Sequence, residues 1–204
     1  PFYGQEMADE LFKGFRVTGW TKDRSGDMDI PIITPGTSLT GKALGNNQYG
    51  KAALAYLALK DLLGDAQFRK CLHAYMDRWH GKHPIPWDFF YTFNNVNEKS
   101  LDWFWQNWFF STNYMDLELI QVIRKPKGSE VHISNPGGMA IPFDLIVTYV
   151  DGSVEKRHLT PAIWEADNKR IVLTVNNKKA VKSALIDGGV FLDANPANNS
   201  YTAQ

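Results

Sequence analysis

The stretch FDLIVTYVDGSVEKRHL, residues 143–159, decides the fold of the C-terminal half of this chain. Apolar and polar residues alternate on both sides of Asp151 and Gly152, as in two strands that each bury one face. An Asp-Gly pair between such strands favours a two-residue turn with positive φ. The stretch therefore predicts an antiparallel β-hairpin.

The same period of two continues on both sides of this hairpin after residue 116. Turn sequences such as PKG, NPGGM, DNK and NNKK separate the other segments, which are LELIQVI, EVHIS, RIVLTV and AVKSALI. About seven short segments of this kind predict a small antiparallel β-sandwich with two sheets.

Before residue 116 the apolar residues recur at helical spacing instead. The first predicted helix covers Gln5–Phe15, with Gly14 and Gly19 marking its end. Residues 21–46 are rich in glycine, proline and polar residues, which favours a long irregular connection. The sequence therefore predicts that the next helix starts only after this connection.

That next helix is predicted over residues 47–63. Asn46 or Asn47 is its expected N-cap, and Gly64 is the expected residue beyond its C-terminus. A further amphipathic helix begins at Asp65, so the two helices should form an αα-hairpin.

The segment LDWFWQNWFF carries three tryptophans and three phenylalanines between Trp103 and Phe110. Such a helix can offer a stacking platform for a ligand, or it can fill a core or a domain interface. We favour the packing role. Pro86 is predicted to begin a short helix before it, and Ser100 to cap it. The fold class is thus α+β, with a helical domain over residues 1–116 and a β-sandwich domain over residues 117–204.

Composition excludes some partners. The 22 basic and 22 acidic side chains cancel, so no net field attracts nucleic acid. No apolar stretch is long enough to span a membrane.

The single cysteine, Cys71, cannot form an internal disulfide, and its apolar helical neighbours favour buried packing over a catalytic thiol. The chain starts at Pro1 without an initiator methionine, so we expect it to be a piece of a longer protein.

Complete catalytic motifs are missing from the sequence, which contains no HExxH, GxSxG, P-loop or GxGxxG. His80 and His83 are spaced as a possible metal pair, but a loop with hydrogen-bonded histidines is the favoured interpretation. Calcium binding is a third and less favoured possibility. One candidate site consists of Asp23, Asp27 and Asp29, and the other of Asp193, Asn195 and Asn198. We expect the melting of the protein not to depend on the metal.

The run Tyr49-Gly50-Lys51-Ala52, followed by an apolar helix ending in LLG and by DAQFRKCLHAYMDRW, resembles a segment of the gluzincin zinc aminopeptidases. This is the family of aminopeptidase N and leukotriene hydrolase, in which a Tyr-x-Lys-Gly motif opens such a helix. The similarity, to a bacterial branch, extends from about residue 45 to residue 116. It continues more weakly into the β half and the closing DANPANN.

The resemblance implies a zinc ion that is held by HExxH and a downstream glutamate in a missing N-terminal catalytic segment, so that this fragment binds no zinc itself. It implies a peptide substrate, and by analogy a periplasmic or secreted location. Tyr49 would donate a hydrogen bond to the zinc-bound carbonyl oxygen as that oxygen becomes an oxyanion. Lys51 would orient the helix start or neutralise a carboxylate. Ala52 replaces the usual glycine and Gly50 a commonly polar residue, which leaves open a relative without hydrolytic activity.

Two hypotheses follow. In the first, the chain is the C-terminal part of a zinc aminopeptidase-like protein and is inactive alone. In the second, it is a non-catalytic binding or scaffolding protein that uses the β-sandwich and the Trp-rich helix to contact a protein or a glycan. A further alternative concerns Tyr49 only: its ring packs in the core and its hydroxyl binds a backbone carbonyl.

Overall fold

The computed structural model describes residues 4–23, 29–175 and 179–203, and it confirms the α+β class. The α-helices precede residue 110 and the strands begin at Glu118. The helical elements are α1 (Gln5–Phe12), a first π turn (Lys13–Val17), α2 (Thr18–Asp23), α3 (Gly41–Gly45), a second π turn (Asn46–Lys51), α4 (Ala52–Trp79), α5 (Pro86–Asn97) and α6 (Asp102–Phe109).

The first helix does not end at Gly14 or Gly19, so that prediction is wrong. Helix α1, the first π turn and α2 follow one another without a break. Neither glycine adopts a positive φ, and nothing in the local backbone stops the helix. Val17 and Trp20 are almost fully buried, so tertiary packing maintains the helix across residues with low helix propensity.

The second helix begins at Gly41, so the predicted N-cap at Asn46 or Asn47 is also wrong. Asn46 has helical dihedral angles, with φ −61° and ψ −46°. The buried Asn47 side chain donates a hydrogen bond to the Pro31 carbonyl oxygen at 3.1 Å. This asparagine therefore binds a neighbouring loop instead of capping a helix.

Gly64 divides α4 into two arms, as predicted. Its φ of 73° and ψ of 158° are not helical, whereas the residues on both sides are. Tyr56 in the first arm and Tyr75 in the second both contact the ring of Phe89 edge-on, at 5.5 and 5.1 Å between centroids. The arms thus fold back on one another, which confirms the αα-hairpin.

The Trp-rich helix α6 is a packing element, as favoured. Phe104, Trp105 and Trp108 are at most 2% exposed. Trp103 is only partly buried. Because most of its aromatic surface is already covered, the helix does not offer a ligand-stacking platform or a broad docking surface.

The C-terminal half is the predicted β-sandwich. A three-stranded antiparallel sheet has the order β1-β2-β5, and a four-stranded antiparallel sheet has the order β4-β3-β6-β7. The strands are β1 (Glu118–Lys125), β2 (Gly128–Ser134), β3 (Phe143–Tyr149), β4 (Val154–Leu159), β5 (Arg170–Val175), β6 (Val181–Asp187) and β7 (Ser200–Thr202). Alternate residues of both sheets are buried in a shared core.

The β3–β4 hairpin has a three-residue loop, not the predicted two-residue turn. The Tyr149 amide donates to the Ser153 carbonyl at 2.9 Å, so Val150, Asp151 and Gly152 form the loop. Gly152 has a φ of 84° and is the loop residue with a positive φ. This conformation requires one glycine at the last loop position, whereas the predicted turn requires two positive φ values.

The helical and β parts share one buried apolar cluster. At their junction, Asn107 of α6 donates to the Gly138 carbonyl and accepts from the Ala140 amide, both at 2.8 Å. Trp108 donates to the Ala140 carbonyl at 2.9 Å. The division into domains at residue 116 stays a prediction. In the described part of the chain, no helix combines the length and the apolar character that a membrane span requires.

Candidate functional site

The two π turns pack against each other at the beginning of the long helix, and the candidate site lies there. The first π turn carries Arg16, and the second carries Tyr49, Gly50 and Lys51. A π turn holds one extra residue relative to an α-helical turn, and such turns are frequent at functional sites. Because α3 runs directly into the second π turn, Tyr49 does not lie in the first turn of a helix, as the predicted helix start at residue 47 implied.

Gly50 allows the close approach of the two π turns. A Cβ atom at this position would lie 2.5 Å from the carbonyl oxygen of Arg16, which is closer than real Cβ contacts. The aminopeptidases that this segment resembles commonly have a polar residue at this position. The requirement for a residue without a side chain explains this glycine.

Tyr49 projects from this contact into solvent. The residue is 55% exposed, so the alternative in which its ring packs in the core is wrong. The guanidinium carbon of Arg16 lies 5.0 Å from the ring centroid, in a cation–π contact. Among the residues that the structure describes, the phenol hydroxyl has no hydrogen-bond partner. It is free to donate a hydrogen bond to a ligand.

Lys51 points in the opposite direction and is fully buried. Its Nζ lies 2.9 Å from Oδ1 of Asp29, whose side chain is 6% exposed. It also faces the carbonyl oxygens of Ile30 and Ser111, both at 3.4 Å, and the ring of Trp20. Desolvation lowers the pKa of the Lys51 ammonium below its ordinary value, although Asp29 opposes this effect.

This ion pair ties the second π turn to a distant loop. Lys51 connects Asp29 to the end of α6 through the Ser111 carbonyl, so it fixes three segments at one point. The arrangement leaves the Tyr49 hydroxyl without a protein partner among the described residues, on a backbone that buried contacts anchor. Chemically, it can bind a carbonyl oxygen or an anion, and it can hold a developing oxyanion.

Sequence reasoning did not find Arg16, Asp29 or Trp20 as parts of this site. Asp29 was assigned to a possible calcium loop, but its Oδ1 accepts from Lys51 instead. Asp27 lies outside the described residues, and so does the side chain of Asp23. The pairing of Lys51 with Asp29 joins residues that are far apart in sequence, and no local pattern signals it.

The other candidate metal residues have protein partners. Oδ2 of Asp193 accepts from the Leu117 amide and Oδ1 accepts from the Asn195 amide, both at 2.7 Å. Nδ1 of His80 lies 3.0 Å from the Met76 carbonyl at the end of α4, which fits the predicted hydrogen-bonded loop. Over residues 4–23, 29–175 and 179–203, no three His, Cys, Asp or Glu side chains are grouped to hold a metal ion. The described residues therefore provide no zinc site.

Cys71 is fully buried, as predicted. Desolvation raises the pKa of its thiol, in opposition to the charge of Lys70. A neutral buried thiol packs as a small apolar group. Cys71 thus has a structural role.

An apolar groove of about 760 Å³ lies further along α4, between its two arms, α5 and the loop at residues 32–36. Tyr56 lines it and is 40% exposed. Burial and the neighbouring Tyr75 raise the pKa of the Tyr56 hydroxyl. Tyr56 differs from Tyr49 because aromatic rings contact its side chain, and it provides a natural control for substitutions at Tyr49.

The fold is thus a helical unit joined to a β-sandwich, and its candidate site is an exposed tyrosine on an anchored π turn. No family model matches this sequence, and no curated protein matches it. Among solved structures, aminopeptidase A of Legionella pneumophila in complex with aspartic acid is similar over 77% of this chain, with 16% identity and a TM-score of 0.47. The chain spans 16% of that protein's length. A likeness of this extent carries no conclusion about chemistry.

Proposed function

We propose that this chain is the C-terminal part of a zinc-dependent aminopeptidase-like protein, and that Tyr49 donates a hydrogen bond to the oxyanion formed during peptide hydrolysis. One observation carries the proposal. The Tyr49 hydroxyl is exposed and unpartnered among the described residues, on a backbone that two buried contacts fix. The motif around Tyr49, which resembles that of the gluzincin aminopeptidases, supplies the reaction class.

The proposed hydrogen bond accelerates hydrolysis because it strengthens as the transition state forms. A neutral donor binds a developing oxyanion more strongly than it binds the ground-state carbonyl, so it lowers the barrier to reaction. The donor must already be in place, because moving it during the reaction would cost free energy. The contact of Gly50 with the Arg16 carbonyl supplies such a fixed position.

Lys51 is a positioning residue in this proposal. Its side chain is fully buried and reaches Asp29, so it cannot touch a substrate. It acts through the backbone of the second π turn, which carries Tyr49. Both roles suggested by the sequence, orienting the helix and neutralising a carboxylate, are compatible with this pair.

The zinc ligands of the proposed protein lie outside the described residues, since these contain no suitable group. When bound, zinc polarises the scissile carbonyl and activates water. The substrate is the N-terminal end of a peptide, and export to the periplasm or beyond is part of the proposal by analogy. We propose that the 204-residue chain alone does not hydrolyse peptides.

The direct test starts with the coding sequence upstream of Pro1, which should encode HExxH and a glutamate some tens of residues beyond. The longer protein is then purified and assayed for zinc and for release of the N-terminal residue from short peptides. We expect about one zinc per protein, loss of hydrolysis on chelation, and recovery when zinc is restored. A longer protein without these motifs, or with hydrolysis that ignores the chelator, would overturn the proposal.

The second candidate is a non-catalytic scaffold that contacts a protein or a glycan through the β-sandwich and the Trp-rich helix. The burial of Phe104, Trp105 and Trp108 weakens the part of this candidate that rests on the helix. The same upstream sequence separates the two functions, because a scaffold has no need of HExxH.

A further inference from the structure

His158 lies between two carboxylates that belong to different parts of the molecule. Its Nδ1 is 2.7 Å from Oδ1 of Asp144, and its Nε2 is 2.9 Å from Oδ2 of Asp61. Asp144 is the direct cross-strand neighbour of His158 on β3. Asp61 belongs to the first arm of α4. One imidazole ring therefore joins the sandwich to the helix that begins beside Tyr49.

The geometry determines the charge of the ring. An ionised carboxylate oxygen only accepts hydrogen bonds, so both ring nitrogens must donate. The imidazolium has two N–H groups, whereas the neutral ring has one. Deprotonation leaves a nitrogen lone pair facing a carboxylate, and it removes the positive charge between two negative ones.

The surrounding charges do not replace the imidazolium. Lys156 on β4 lies 2.7 Å from Oδ2 of Asp144 and not beside Asp61. Asp187 on β6 is the other cross-strand neighbour of Asp144 and adds a negative charge. Within the described residues, Oδ1 of Asp61 is buried without a hydrogen-bond partner. Asp61 thus depends on His158.

The remaining nearby groups face elsewhere. Lys60, next to Asp61 on α4, lies 3.2 Å from Asp65. Arg157 on β4 donates to the Thr174 carbonyl of the other sheet, and Glu155 accepts from the Tyr149 hydroxyl. The 3₁₀ turn Pro161–Trp164, which also packs against α4, has no titratable side chain.

We propose that His158 is a pH-dependent clamp, which in its protonated form ties the first arm of α4 to the four-stranded sheet through Asp61 and Asp144. The junction around α6 uses uncharged groups, Asn107, Trp108 and main-chain carbonyls. A rise in pH therefore loosens α4 selectively. The inference does not depend on the proposed enzymatic activity.

The direction of the pH effect follows from the neighbours of the ring. Desolvation lowers the pKa of His158, but the hydrogen bond to Asp144 and the charge of Asp61 outweigh it and raise the pKa above 6.5. A raised pKa in the folded state means that the stabilisation is complete below 6.5 and is lost as the pH rises through the folded value. At low pH the clamp also weakens, because protonation removes the negative charge of Asp144.

A double-mutant cycle tests the coupling. The variants Asp61→Asn, His158→Gln and their double variant, each in the full chain, are unfolded in urea at about pH 6, below the ordinary imidazole pKa, and at about pH 9, well above it. We expect a coupling of about two- to fivefold in the folding equilibrium constant at the lower pH, as for exposed ion pairs. We expect a clearly smaller coupling at the higher pH, because the neutral ring has lost its charge and one of its two N–H donors. Equal coupling at both pH values, or none at the lower one, would overturn the clamp.

A second measurement follows the His158 ring directly. In a pH titration of the ring ¹⁵N shifts of the unsubstituted chain, we expect His158 to titrate above the ordinary imidazole pKa. His132→Gln, on the other sheet, is the matched control and should leave the titration of His158 unchanged. A His158 pKa at or below the ordinary imidazole value would contradict the proposal.

Discussion

Gly50 lies against the carbonyl oxygen of Arg16, so closely that a Cβ atom would come within 2.5 Å of it. This contact joins the two π turns and sets the position of Tyr49. Because both partners at the contact are backbone, neither can rotate away to make room.

Gly50→Ala should therefore destabilise the fold. We expect a loss of about 1–3 kcal/mol in the free energy of unfolding, which is the usual cost of overpacking. Urea unfolding measures it. Gly45→Ala is the matched control, since Gly45 is helical and a Cβ there meets nothing within 4 Å. That variant should gain about 0.4–1 kcal/mol. Equal effects at the two glycines would refute the close contact.

Substitution of Lys51 tests the buried ion pair. Lys51→Met leaves the Asp29 carboxylate buried and unpaired, so we expect a loss of about 3–5 kcal/mol in the free energy of unfolding. Asp29→Leu in the same chain should restore most of it, because an apolar pair has no charge to desolvate. If Lys51→Met alone is neutral, the pair does not anchor the π turn. Lys60→Met is the control, since Lys60 pairs with Asp65 at the surface.

Asn107 tests the junction between α6 and the sandwich. Asn107→Ala removes two buried hydrogen bonds and leaves the Ala140 amide and the Gly138 carbonyl with fewer partners. We expect a loss of about 2–4 kcal/mol, from the usual cost of unsatisfied buried groups. The neighbouring Gln106 is exposed, and Gln106→Ala should change stability by less than about 0.5 kcal/mol. A neutral Asn107→Ala would show that the junction does not depend on these bonds.

The strands and the hairpin of helices could be predicted from the sequence because each depends on local chemistry. Alternating residues define the strands from β1 to β6, and Gly64 adopts the positive φ that ends a helical arm. The buried aromatic face of α6 follows from its composition. In these places local preference and tertiary packing agree.

The start of the second helix could not be predicted, because tertiary contacts decide it. Asn46 and Asn47 have the side chains of N-caps, yet Asn47 binds the Pro31 carbonyl and the helix begins at Gly41. Likewise, Gly14 and Gly19 remain helical while Val17, between them, and Trp20, directly after them, are buried. Packing overrides intrinsic propensity at both places.

The candidate site, too, could be predicted from the sequence only in part. Tyr49 was predicted as a site residue from its motif; the residue is exposed, and its role stays a prediction. The partners that fix it, Arg16 and Asp29, lie in other segments and carry no motif. Their positions depend on how the first helix and the loop after it pack, which no spacing rule gives.

The most direct measurement is the turnover of Tyr49→Phe in the longer, zinc-containing protein that we propose. We expect kcat for peptide hydrolysis to fall by about 10²–10³, as when one oxyanion donor is lost, while zinc content and stability stay unchanged. Tyr56→Phe, in the helix α4 that follows this π turn, should retain activity. Unchanged turnover in Tyr49→Phe, or an equal loss in both variants, would contradict the role assigned to this hydroxyl.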